Sequence, residues 1–153
     1  MRADMAVFDK DGQMVLLVEA KSQAATSSDW AARYRCNLAA AGFSPRVPFF
    51  LLATPEHFYL WKDPPPTPEL IDPDYDIDAT ALLEPYYGAE PQIPRDAKGV
   101  TFELIVAAWL ADLQSGAAME GLSPDHRRWL VESGLLELLR GGRIALEAAV
   151  PGA

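Results

Sequence analysis

The sequence predicts an α/β fold: a small mixed β-sheet flanked by helices, with a helical C-terminal part. Three observations predict it. Strand-like apolar runs bracket a segment of helical periodicity within residues 1–62; eight of the thirteen prolines then fall between Asp63 and Lys98; two helical stripes and a short strand-like run complete the chain. At 153 residues, half of them hydrophobic, the chain can bury one core of ordinary size without disulfides or a structural metal. The expected organisation is a core over 1–62, a connection over 63–98, and a C-terminal part over 99–153 that packs on the same domain.

Met5 to Phe8 and Gln13 to Ala20 are apolar runs on either side of Asp9-Lys10-Asp11-Gly12. An Asp-Gly pair between apolar runs predicts a β-hairpin. From Ser28 to Ala41 the period changes: Trp30, Tyr34, Leu38 and Ala41 recur on one helical face, with Ser27-Ser28-Asp29 as candidate caps and Gly42 as the stop. Pro48–Thr54 and His57–Lys62, rich in Phe, Leu, Tyr and Trp, read as a second hairpin turning at Pro55-Glu56. The proline-rich segment can sustain neither a long helix nor a central strand, so it is expected to run extended along the surface. Val100 to Leu113 then carries a helical stripe of Phe102, Ile105, Val106, Trp109 and Leu113. Ser123-Pro124-Asp125 is an N-cap followed by proline at the first helical position, opening a helix towards Ser133. Leu135–Leu139 reads as one more helical turn, Gly141-Gly142 breaks it, and Arg143–Glu147 reads as a last strand at the edge of the sheet.

Thirteen Lys and Arg against twenty-two Asp and Glu give a net charge of −9, which excludes a protein that coats nucleic acid or anionic membrane by bulk electrostatics. The charge is uneven. Residues 1–62 hold seven basic against six acidic side chains and are near +1, whereas residues 63–153 hold six against sixteen, or −10. The single cysteine, Cys36, excludes an internal disulfide and a thiolate metal cluster, and fits a reducing compartment. No apolar stretch approaches the roughly 20 residues of a membrane helix, and no basic-then-apolar leader opens the chain, so the expectation is a cytoplasmic protein without a membrane partner.

The apolar pattern of the second strand gives way at its end to Glu19-Ala20-Lys21. Alternation places Glu19 and Lys21 on one face, in line with Leu17 and Val15. A two-residue loop at Asp11-Gly12 sets Asp4 directly opposite Glu19, with Cβ atoms about 4.5–5.5 Å apart. A four-residue loop sets Asp4 opposite Leu17 and diagonal to Glu19; a three-residue loop turns it away. Two carboxylates that close repel one another, and a cation bound by both would explain the pair.

The order Asp4, hairpin, Glu19-Ala20-Lys21, helix, strand resembles the PD-(D/E)xK nuclease superfamily over about residues 2–62, with Arg2-Ala3-Asp4 in place of the Pro-Asp dipeptide. The resemblance implies a restriction-endonuclease-like core and metal-dependent hydrolysis of phosphodiester bonds in nucleic acid, DNA ahead of RNA, with a homodimer left open. It assigns Asp4, Glu19 and the Ala20 carbonyl to Mg²⁺ or Mn²⁺ and Lys21 to the attacking water. Gln23 falls where several members carry a polar residue near the nucleic-acid backbone. On the following helix Arg33 and Asn37 lie four apart and can share a substrate-facing side, with Arg35 about 160° from Asn37. Magnesium prefers hard oxygen ligands, and a nearby lysine can stabilise hydroxide and developing charge.

The sequence also departs from that pattern. The superfamily core usually begins with a helix, often bearing another acid, whereas only Met1 to Ala3 precede Asp4. A start codon placed too late, removal of that segment, or substitution by the helix from Val100 would each account for this. The competing expectation is a catalytically inactive nuclease-like scaffold whose acidic second half binds a partner protein. Other features read more plainly. Asp9 to Gly12 is a turn rather than a calcium loop. Asp72, Asp74, Asp76 and Asp78 form a solvated acidic stretch, and Trp109 and Trp129 fit helix cores. His57, His126 and Cys36 have no neighbours in the sequence that mark a site.

Overall fold

The computed structural model describes residues 2–43, 45–87 and 99–150. Six strands form one sheet: β1 (Arg2–Phe8), β2 (Met14–Ala20), β3 (Phe49–Ala53), β4 (His57–Lys62), β5 (Tyr75–Asp78) and β6 (Arg143–Ala149), in the order β5-β4-β3-β2-β1-β6. β2 and β3 are parallel, as a crossover through a helix requires, and the other neighbours are antiparallel. The helices are α1 (Ser28–Ala40), α2 (Thr80–Leu83), α3 (Val100–Ser115), α4 (Pro124–Ser133) and α5 (Leu135–Leu139), with a 3₁₀ turn at Glu84–Tyr86. The mixed sheet with helices on both faces is the architecture expected.

Alternation along the central strands builds two cores. Met5, Val7, Leu16, Val18, Leu51, Phe58 and Leu60 face α2 to α5, including the whole predicted stripe of α3. Leu17, Phe50, Leu52, Tyr59 and Trp61 face α1. The Ser27 side chain caps α1 by accepting the Trp30 N–H at 3.2 Å, and Gly42, at φ 90°, turns the chain away after it. Ala41, expected on the buried stripe, is exposed just past the helix.

The first hairpin differs from the expected two-residue turn. The Asp9 N–H donates to the Gln13 carbonyl at 2.9 Å and Phe8 pairs with Met14, so three residues, Lys10 to Gly12, form the loop. Asp9 Oδ1 accepts from the Asp11 and Gln13 N–H groups, and Gly12 takes φ 81°. Taken alone, that loop would turn Asp4 away from Glu19. A β-bulge at Val15 corrects it: Val7 pairs with Leu16 and Met5 with Val18, which restores the register that sets Asp4 beside Glu19. The same bulge moves Val15 onto the α3 side, so it is not in line with Leu17.

Within the described part of the 63–98 segment the chain does more than run along the surface. Tyr75–Asp78 adds an edge strand and Thr80–Leu83 a helical turn. Arg35, only 4% exposed, donates to the carbonyls of Pro65 and, at 3.1 Å, Glu69, and so fastens the proline run to α1. The four aspartates Asp72, Asp74, Asp76 and Asp78 are exposed, as expected of a solvated stretch, and three of them also accept hydrogen bonds. Asp74 accepts from the Lys62 N–H, Asp78 from the Thr80 N–H, and Asp76 from His57 and Ser28. Residues 88–98 lie outside the described chain. Among the described residues no helix is long and apolar enough to cross a membrane.

Candidate metal centre

Asp4 sits just beyond the last ladder pair of β1 and β2, Met5 with Val18. Its Oδ2 accepts the Ala20 N–H at 2.9 Å, so a side chain takes over from the backbone ladder and is fixed beside Glu19-Ala20-Lys21. Glu19 is 7% exposed and hydrogen-bonded to Asp4. Burial, that hydrogen bond and the Asp4 charge raise its pKa from the ordinary carboxylate value to about 9, against a smaller opposing effect of Lys21. Without a cation, the Asp4–Glu19 pair therefore holds a proton at neutral pH.

Two further acids close in from other elements. On β6, the pairs Ala3 with Ala148 and Met5 with Leu146 bracket Asp4 and Glu147, and Glu147 departs from strand geometry with φ 51°. Glu103 comes from the first turn of α3. Carboxylate oxygens of Asp4, Glu103 and Glu147 lie within 4.8 Å of one another. Burial, then the Asp4 charge and a hydrogen bond with Asp4, raise Glu103 as well. Four carboxylates thus converge, with Asp4 common to the pair on β2 and to the cluster with α3 and β6.

Lys21 completes the site. A hydrogen bond with Tyr34, together with the neighbouring acids Glu19 and Asp4, raises its pKa above the ordinary value despite the opposing effect of burial. Its Nζ lies 5.6 Å from the Tyr34 ring centroid. Tyr34 is itself raised, first by burial. Lys21 therefore stays an ammonium across the neutral range, suited to holding negative charge and unsuited to taking a proton.

Of the residues singled out in the sequence, Asp4, Glu19 and Lys21 come together, while Ala20 meets Asp4 through its N–H. Gln23 is exposed two residues beyond Lys21, and Arg33 and Asn37 are exposed on α1. Arg33 forms an exposed ion pair with Asp29 at 3.1 Å within its own helix. Sequence reasoning missed Glu103, Glu147 and Tyr34. An acid in the first turn of a helix is ordinary chemistry for that position, and Glu147 stands out only once β6 is registered on β1. Tyr34 has the spacing of a packing residue of the α1 stripe, and nothing in the sequence sets it apart.

Comparison with family models, with curated proteins and with solved structures finds no match for this chain.

Proposed function

We propose that this chain is a metal-dependent nuclease that hydrolyses phosphodiester bonds in nucleic acid, as its resemblance to PD-(D/E)xK nucleases implies. One observation carries the reading: Asp4 gathers Glu19, Glu103 and Glu147 at one end of the sheet, with the Lys21 ammonium beside them. Glu19 is buried, Asp4 and Glu103 are half-buried and Glu147 is exposed; carboxylates held this close repel one another, and hard oxygen donors of this kind suit Mg²⁺ or Mn²⁺. Asp4, Glu19, Glu103 and Glu147 supply the candidate ligands. A bound divalent ion would polarise the phosphoryl group and make a water more acidic. Lys21, kept charged by Tyr34, Glu19 and Asp4, stabilises negative charge developing at the attacked phosphate. On this reading Glu103 of α3 takes the part of the helix acid that members of the resembled family carry ahead of their first strand.

The scaffold reading has one observation in its favour. Glu19 and Asp4 are already satisfied by a proton between them, so the fold does not require a cation. The experiment that separates the two readings is cleavage of single- and double-stranded DNA and RNA with magnesium or manganese. Wild type is expected to cleave. Glu19→Ala and Lys21→Ala are each expected to lose at least ~100-fold, the scale of a lost ligand or charge-stabilising group, and Glu103→Gln at least ~10-fold. Equal cleavage by wild type and all three variants would reveal a contaminating nuclease and end the proposal.

A further inference from the structure

Beside the carboxylates a row of aromatic rings runs along the α1 face of the sheet. Trp30 and Tyr34 stand one turn apart on α1, with ring centroids 5.4 Å apart and planes at 30°. Trp30 packs at 6.3 Å on Tyr59, and His57 stacks on Tyr59 at 5.3 Å and 10°. Tyr59 is fully buried, while Trp30, Tyr34 and His57 keep part of their surface in solvent. The row begins at the site, because Tyr34 holds the Lys21 ammonium. It is also fixed in place. Thr26 Oγ1 and Tyr59 OH are 2.8 Å apart, His57 Nδ1 lies 2.8 Å from Asp76, and Ser28 donates to the same aspartate at 2.9 Å.

The charges on this face decide what such a row can hold. A duplex is retained mainly by cations neutralising its phosphates. Here Lys21 is committed to the site, Arg33 is paired with Asp29, and Arg35 is buried against carbonyls, in a chain of net charge −9. Stacking on an aromatic ring needs no cation, and every base has a π-face, but only a base free of its duplex partner can reach such a ring.

We infer that the nucleic acid taken by this site is single-stranded or locally unpaired, with a base stacked at Trp30 and Tyr34 and the adjoining phosphate directed to Lys21. The inference rests on the nuclease reading for the nature of the ligand and goes beyond it in naming the strand state and the residues that select it.

Binding without turnover tests it. A short fluorescein-labelled oligodeoxythymidine and a blunt duplex of equal length would be titrated by anisotropy, in EDTA and in calcium. The single strand should bind at least ~10-fold tighter than the duplex. Trp30→Leu keeps apolar bulk against Tyr59 but removes the ring, and should weaken single-strand binding by roughly 5- to 100-fold, one base's worth of stacking. Trp30→Phe should stay within about 3-fold of wild type, which separates stacking from a folding defect. Equal affinity for strand and duplex, an unchanged Trp30→Leu, or no binding of either oligomer in both buffers would overturn the inference. Loss of metal-dependent cleavage with this binding pattern intact would count against the catalytic reading alone.

Discussion

Glu19 is where the chemistry of the site is most exposed to test. Its pKa of about 9 in the folded state, against 4.5 for an ordinary glutamate, means that the folded protein holds a proton the unfolded chain has released. The stabilisation from protonated Glu19 is complete below about pH 4.5 and is lost as the pH rises through about 9. The metal-free protein should therefore melt progressively lower across that window, while Glu19→Gln, which keeps the size and the hydrogen bond but cannot ionise, should flatten the slope. Thermal melts at intervals of one pH unit in EDTA would check this. An equal slope in both proteins would place the titration elsewhere. A divalent ion must displace that proton, so magnesium should stabilise wild type more at pH 8 than at pH 6.

At the scale of elements, the bulge at Val15 settles the register. A three-residue loop shifts the hairpin by one residue, and the extra residue in β2 shifts it back, so Asp4 and Glu19 meet even though the turn is not the one Asp11-Gly12 suggests. The hairpin was legible in the sequence, but its three-residue loop and the bulge were not: Asp11-Gly12 suggests a tighter turn, and Val15 looks like any residue of an apolar run. Deleting Val15 should regularise the ladder, with Phe8 to Met14 followed directly by Val7 to Leu16. A deletion inside a strand would ordinarily displace every later side chain. Here it should cost only the packing of one partly buried valine, about 1–2 kcal/mol, and leave magnesium stabilisation intact. A Val15-deleted protein that folds but no longer responds to magnesium would show that the bulge does more than restore register.

Across the whole molecule, the part of the site legible in the sequence is the part that lies close together along the chain. Asp4, Glu19 and Lys21 belong to one hairpin, so local alternation brings them together. Glu103 and Glu147 arrive by packing α3 on the sheet and pairing β6 with β1, contacts that span most of the chain and leave no local pattern. The same holds for Arg35. It looked like one of a basic set on α1, yet it is buried because the carbonyls of Pro65 and Glu69, some thirty residues on, need its donors. The two faces of the sheet, by contrast, follow from period-two and helical patterning alone, which is why the architecture was the more readable half. These scales meet at one strand end, where acids from β1, β2, β6 and α3 come together, the proposed site of a divalent ion. The direct measurement is calorimetric melting of wild type, Glu19→Gln and Glu103→Gln at two magnesium or manganese concentrations. Wild type should rise with concentration as RT ln(1 + [L]/Kd), about 2.7 kcal/mol at a hundredfold excess over Kd, or roughly 5–10 °C for a domain of this size. Both variants should be at least as stable as wild type without metal and should lose most of that rise. If all three melt alike with and without millimolar divalent ion, the carboxylates around Asp4 do not share a cation and the claim fails.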